Sequence, residues 1–371
     1  MKLLRRFGLP TCIVSYVVIK ERIWGVFYRK GEVPNVFHIA DLSMAQVRAW
    51  TQRNFRVQQG HEPLHSQAAW SELVELMPLV RGLDTISEDS MIVFCPTREL
   101  HSIPLHALST GQQTIIERNA VAYCQSLSIL HRCQMVAEDV ANHSTQLGKT
   151  AILCVLDDHW HEVATYEDIG QRMKTKSQCV QHISSNDALH AMAGASILHF
   201  HGHAHTNDST GNHLGMESYL SLGKKAPVTG LSRTEKLTAN NIIDLTLHPG
   251  ALALLIACRS GSADVSVTDD LLGLPTALFY AGATSVIGTL WEINNEDGML
   301  FSETFYEILL AEKAKSIKTG ATTLNVAVVL RKTMLHIMKQ GGPESEKVMP
   351  YHWASFTLFG FWEIPLAFLQ D

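Results

Sequence analysis

The sequence predicts an α/β protein built on a mostly parallel sheet with helices on both faces, preceded by a smaller α+β subdomain. The run Ala251–Ala257 holds seven apolar residues with no charge and no proline. Such a run reads as a strand buried on both faces, which belongs in a parallel sheet. From Ala151 onward, short apolar runs alternate with amphipathic stretches, as strand–helix–strand units do. The amino-terminal part opens instead with consecutive short runs separated by turn residues, and the polar stretch Ala141–Lys149 reads as a linker. The chain therefore divides into residues 1–148 and 149–371.

Taken in order, Cys12–Ile19, Ile23–Tyr28 and Val36–Ile39 predict a meander, turned at Lys20-Glu21-Arg22 and at Lys30-Gly31. Asp41 and Ser43 can cap a helix that runs to about Val57. An amphipathic helix is expected from Pro63 to Val80, with Leu64, Ala68, Leu73, Leu76 and Met77 inward. Met91–Cys95 is a short buried strand ended by Pro96, and Arg98–Leu108 is a second short segment. His101 and His106 in that segment lack an acidic or thiol partner at a recognisable spacing and read as structural. Ser126–Leu130 leads into a helix. After the linker the expected strands are Ala151–Leu156, Cys179–Ile183 and Ser196–Phe200, with helices at Glu162–Thr175 and Asn186–Ala193 between them. A loop with a hairpin, a short helix capped near Thr238 and the strand leading to Cys258 follow. Helix Asp269–Ala281, strand Thr284–Trp291, helices Asn295–Glu312 and Thr322–Lys339, and a last strand Ser355–Trp362 complete the chain.

With 371 residues, 46% of them hydrophobic, the chain can bury two cores. A formal charge of −6 and the absence of any lysine or arginine block leave no footprint for nucleic acid or an anionic membrane. Seven cysteines, odd in number and without a Cys-x-x-Cys pair, fit a reducing compartment better than a disulfide framework or a zinc ribbon. Met1–Arg6 is basic, but the apolar run Cys12–Ile19 is short for a signal core and leads into charge without a small-x-small site. No run approaches the ~20 apolar residues that span a bilayer. The expectation is a soluble, cytoplasmic protein with no nucleic-acid or membrane partner and no cofactor.

Two strand exits carry the chemistry. Ligands and reacting groups in open α/β sheets sit beyond the carboxyl ends of the strands, where Cys258-Arg259-Ser260-Gly261 follows its apolar run. A lone cysteine there is also what a small buried hydrophobe looks like. The second exit, Ser196-Ile197-Leu198-His199-Phe200-His201-Gly202-His203-Ala204-His205, supplies histidines. A thiol needs a base or a cationic neighbour to ionise at neutral pH, and imidazole suits that role. Neighbouring parallel strands ending in His and Cys would bring the pair together. The same histidines recur at period two, so an extended backbone would set His199, His201, His203 and His205 on one face, which is a rival zinc reading. Against zinc, Asp208 is the one carboxylate soon after the cluster, and His199, inside the apolar run, also fits a packed core histidine.

These segments resemble a CHAT domain, a branch of the caspase-like cysteine peptidases that also includes separases. His199-Phe200-His201-Gly202-His203-Ala204 is similar to the family's catalytic-histidine strand, and Leu254–Gly261 to its nucleophile strand. Asp270–Trp291 resembles its most recognisable helix–strand segment, and Pro350–Gly360 its closing strand. Leu100–Leu108 and Ser126-Leu127-Ser128 also fit, so that the likeness covers the chain from about residue 12. The resemblance implies a caspase-like fold with a pseudo-caspase-like amino-terminal subdomain, and a cysteine endopeptidase performing limited proteolysis in cell death, immunity or defence. It implies Cys258 as nucleophile and His203, with His201 as second choice, as its partner. The oxyanion hole would be the backbone N–H groups of Cys258 and Ala204. The family usually has glycine where Ala204 stands, which bears on the geometry of that hole. Asp157 and Asp158, at the same sheet edge, are candidates for an acidic pocket taking Arg or Lys, with Asp264, Asp269 and Asp270 as alternatives; Trp291 is a candidate groove wall or plain core. The resemblance implies a protein or peptide substrate as partner; because the helical repeats common before the domain in relatives are not seen, an activating regulator is expected in trans, outside the given sequence, or not at all. The alternatives are a catalytically silent caspase-like interaction module and, through the histidine cluster, a zinc-dependent hydrolase.

Overall fold

The computed structural model describes residues 10–55, 70–143, 148–156, 161–205, 215–225, 233–262, 264–265, 271–340 and 349–369. Its centre is an eleven-stranded sheet. In chain order its strands are β1 (Thr11–Ile19), β2 (Arg22–Arg29), β3 (Asn35–Ser43), β4 (Met91–Cys95), β5 (Ala120–Tyr123) and β6 (Thr150–Val155). They continue with β7 (Gln178–Val180), β8 (Ile197–His201), β9 (Ala251–Ile256), β10 (Ala283–Thr289) and β11 (Phe356–Gly360). Across the sheet they lie in the order β3-β2-β1-β4-β5-β11-β10-β9-β8-β6-β7. Seven neighbouring pairs are parallel; the antiparallel ones are β1–β2, β2–β3 and β10–β11. The expected mostly parallel α/β architecture is therefore what the chain adopts. β5 pairs with β11 from the carboxyl end, so residues on both sides of position 148 share one sheet.

Apolar pattern accounts for the strand positions. Every residue of β9 is buried, and each large side chain there contributes about 1.5–3 kcal/mol by leaving water. β8 and β10 beside it are buried throughout as well. The flanking helices begin where a side chain can satisfy their free N–H groups. Ser43 accepts from Gln46 N–H ahead of α1 (Met44–Phe55), and α2 is Leu127–His143. After α3 (His161–Arg172), Ser184 caps α4 (Ser185–Met192). α5 is Leu274–Ala281, Asn294 caps α6 (Asn295–Lys318) and Asn325 caps α7 (Val326–Lys339). Among the described residues, no helix is long and apolar enough to cross a membrane.

Several expected boundaries are corrected. Glu72–Val80 is a 3-10 helix, not the end of an α-helix. Three residues per turn line up Leu73, Leu76 and Leu79 as the buried row, leaving Met77 half-buried; Leu64 and Ala68 lie outside the described residues. The helix expected from Asp269 starts at Leu274, because Leu271–Leu272 pairs with Asp264–Val265 as a short strand and Pro275 sets the first turn. The segment expected as helix from Thr322 opens with a strand, Thr323–Asn325, paired with Glu363–Pro365 beyond β11. α2 also runs to His143, into the stretch read as linker.

Candidate active site

β8 and β9 lie side by side in parallel, paired from Ile197↔Leu252 to His201↔Ile256. The Gly202 N–H carries the ladder onward by donating to the Ile256 carbonyl at 3.2 Å. Parallel neighbours advance together, so His203 and Cys258 each stand two residues past the last pair and leave the sheet at one edge. Gly202 permits that exit: its φ is 156°, and a Cβ there would lie 2.9 Å from the Val155 carbonyl oxygen at the end of β6.

After Gly202 the chain enters a small antiparallel sheet, in which Ala204–His205 pairs with Tyr219–Lys225 and that strand with Arg233–Thr238. The Ser221 N–H donates to the His203 carbonyl at 2.8 Å. Backbone groups alternate in direction along a strand, so the N–H of Ala204, one residue further, faces away from its partner strand. Ala204 is in extended backbone, which alanine adopts as readily as other residues. Its side chain is buried, while His203 and His205 are exposed.

β9 ends at Ile256, and Cys258 occupies the tight turn beyond it, half-buried. Arg259 has φ 53°, a left-handed conformation that costs a non-glycine residue about 1 kcal/mol or more. Hydrogen bonds hold the turn in that shape. The Arg259 N–H donates to the Trp291 carbonyl at 3.1 Å and the Gly261 N–H to the Thr289 carbonyl at 2.8 Å. Buried Ser260 donates its hydroxyl to the Leu255 carbonyl at 2.6 Å and accepts from the Thr289 N–H at 3.1 Å. Thr289 in turn donates its hydroxyl to the Ala257 carbonyl at 2.6 Å. The backbones of Gly261 and Gly288 touch directly: a Cβ on Gly288 would lie 2.7 Å from the Gly261 nitrogen. The turn is thus tied to β10, and the Cys258 thiol donates to the Ile293 carbonyl, in the loop after β10, at 3.5 Å.

The histidines separate by environment. His199 and His201 are buried on β8. His199 Nδ1 lies 3.2 Å from the Tyr306 hydroxyl, and burial pushes its pKa down to about 3. His201 Nδ1 lies 2.5 Å from the Tyr166 hydroxyl; burial and then the nearby His203 push it down to about 3. His205 stacks on Tyr219, and burial, His203 and Lys236 lower its pKa while Glu292 opposes them. The period-two pattern therefore does not present four ligands on one open face. Among the described residues, no group of three or more His, Cys, Asp or Glu side chains is arranged to hold a metal ion.

Trp291 is 3% exposed, with its ring 5.4 Å from that of Trp70 and its Nε1 donating to the Tyr351 carbonyl at 3.2 Å, which makes it a brace under the loop. Asp157, Asp158, Asp269 and Asp270 lie outside the described residues, as does the side chain of Asp264. His106 is buried with Nδ1 2.8 Å from the Tyr123 hydroxyl, a structural placement. Sequence reasoning missed Glu162 and Tyr166, which face His201, and Asn295, which donates to Glu162. They sit on helices distant in the chain, where a lone Glu or Tyr carries no local signal.

A family model described as "CHAT domain" matches residues 65–361. Among solved structures, the chain is similar to the separase of the Saccharomyces cerevisiae separase–securin complex, with TM-scores of 0.58 and 0.55 in two determinations at 10% identity. That match covers 96% of this chain and 30% of the separase chain. It is also similar to the Arg-specific cysteine proteinase gingipain R, with a TM-score of 0.50 at 11% identity over 85% of this chain and 74% of that one. No curated protein matches the sequence. At these identities the structural likeness speaks for the fold.

Proposed function

The chain belongs to the CHAT domain family, whose fold it shares with cysteine peptidases, and from that premise we propose that it is a cysteine endopeptidase acting through Cys258 and His203. The observation that carries the reading is the β8–β9 register, which sets both residues two positions past one paired row. The sequence of steps follows from the residues. The Cys258 thiol gives its proton to the His203 imidazole, its sulfur attacks the scissile carbonyl carbon and a C–S bond forms, while the carbonyl oxygen takes the negative charge. The backbone N–H groups of Cys258 and Ala204 donate to that oxygen, and the outward direction of the Ala204 N–H supports its share of the role. The C–N bond then breaks, and the imidazolium of His203 protonates the leaving amine. Water, deprotonated by the same imidazole, hydrolyses the thioester and returns the thiol.

The substrate is a protein or peptide cut at few sites. Asp157 and Asp158 follow β6, and β6 is in register with β8, Cys154 opposite His201; this supports their assignment as an acidic pocket for Arg or Lys. Gingipain R is itself described as Arg-specific. A regulatory protein in trans is part of the proposal, as separase is held by securin in its complex, and so are a cytoplasmic setting and a role in cell death, immunity or defence.

The test is labelling by peptidyl electrophiles carrying Arg, Leu or Asp at the reactive end, on wild type, Cys258→Ala and His203→Ala. Modification of wild type at Cys258, lost in Cys258→Ala and slowed in His203→Ala, is expected, with the Arg reagent fastest. A folded wild-type protein that none of the reagents modifies would overturn constitutive proteolysis and leave an inactive zymogen awaiting its partner or the interaction-module reading.

A further inference from the structure

Behind the two strand exits lies a buried acid–imidazole pair that the proposed chemistry does not use. The His201 Nε2 stands 3.7 Å from Glu162 Oε2, with the two side chains 3% and 1% exposed. Asn295 Nδ2 donates to the other carboxylate oxygen at 3.0 Å, and the Tyr166 hydroxyl lies 2.5 Å from His201 Nδ1. Nε2 of His201 thus faces Glu162 beyond hydrogen-bond reach, while its Nδ1 is within reach of the Tyr166 hydroxyl. Around this pair the packing leaves no slack: a Cβ on Gly298 of α6 would lie 3.1 Å from His201 Cε1 and 3.0 Å from Ile256 Cγ2.

The pair joins three elements, and two of them lead to the dyad. His201 ends β8, two residues before His203. Asn295 opens α6, two residues after Ile293, whose carbonyl accepts the Cys258 thiol at 3.5 Å. Glu162, from the first turn of α3, lies between them: one oxygen accepts from Asn295 at 3.0 Å and the other stands 3.7 Å from His201 Nε2. Stability does not account for it. A buried carboxylate–imidazole pair is costly to desolvate, and apolar replacements of similar volume are often neutral or stabilising. What the pair can do is hold two loop origins at a set separation.

The geometry points to Glu162 and His201 as a positioning pair that fixes the exit of β8 relative to the loop after β10, and so His203 relative to Cys258. This rests on the reading of Cys258 and His203 as the reacting pair. The experiment takes the full chain and the Arg electrophile and compares wild type, Glu162→Leu and Glu162→Gln at varied reagent concentration. For Glu162→Leu the labelling rate at saturation should fall about 10–100-fold, with half-saturation unchanged within about twofold and the melting temperature not lowered. Glu162→Gln should recover part of the loss, because its amide oxygen still accepts from Asn295 and its shape still fills the space against His201. A wild-type rate in Glu162→Leu, or a loss that tracks a fall in melting temperature, would overturn the proposal. If wild-type Cys258 itself resists every reagent, constitutive reactivity fails separately, and the imidazole NMR signals of His203 decide for the pair. One sharp set in wild type that broadens or shifts in Glu162→Leu supports positioning; identical spectra refute it.

Discussion

Gly288→Ala tests whether β10 holds Cys258, the proposed nucleophile, in place. The added Cβ would fall 2.7 Å from the Gly261 nitrogen, 2.8 Å from its Cα and 3.1 Å from the Ser260 carbonyl carbon, all backbone atoms of the turn after Cys258. Ordinary contact begins about 0.7 Å further out, and no flexible side chain can yield the space. Either β10 or the turn has to move, and the turn is bound to β10 by the Ser260 hydroxyl and the Gly261 N–H. Overpacking of this kind costs about 1–3 kcal/mol, so in a chain of 371 residues the melting temperature should drop by about 1–4 °C. A reacting atom misplaced by ~1 Å loses ~10²-fold in rate, so a shift of about 0.7 Å predicts labelling of Cys258 slowed at least about tenfold at saturating reagent. Thermal unfolding and saturation labelling on the same preparation measure both. Wild-type labelling in a protein of unchanged melting temperature would refute the reasoning, because the glycine contact would then not govern the turn.

Ala204→Gly should leave the labelling rate within about threefold of wild type, since the extended backbone at Ala204 imposes no penalty that glycine relieves; a tenfold acceleration would show a strained oxyanion donor. Trp291→Phe removes the indole donor to Tyr351 and part of the packing on Trp70, so it should lower stability by about 1–3 kcal/mol without altering the preference among electrophiles. A changed preference in the same labelling series would place Trp291 in the substrate groove. His106 and His199 resist protonation down to about 3, whereas unfolded histidine takes its proton near 6.5. Between those values the unfolded state binds more protons, so stability falls as pH drops, by about 1.4 kcal/mol per pH unit for each histidine. Urea midpoints measured at pH 7 and pH 5 should show that loss, and His199→Gln should flatten it.

The strands and their order along the chain were legible because an apolar run such as Ala251–Ala257 has one low-cost fate, burial in the middle of a sheet. The exits at His203 and Cys258 were legible for a related reason: small residues and turn formers follow each run directly. Helix starts were less so. The strands Leu271–Leu272 and Thr323–Asn325 are too short for periodicity to register, and each exists only because a partner strand lies beside it. Trp291 shows a different limit, since whether a strand-end aromatic faces a groove or the interior depends on Trp70 and Tyr351, far away in sequence.

By itself, then, the sequence determined a mostly parallel α/β sheet and named a cysteine and a set of histidines at strand ends, both being properties of local pattern. Register was decided only in three dimensions. The pairing of His201 with Ile256 aligns His203 with Cys258, and the approach of Glu162 and Tyr166 to His201 separates one buried histidine from its exposed neighbour two residues on. The physical reason is that the direction of a side chain follows from local backbone period, whereas its partners are supplied by segments about 35–135 residues away whose approach only the packed sheet and helices determine.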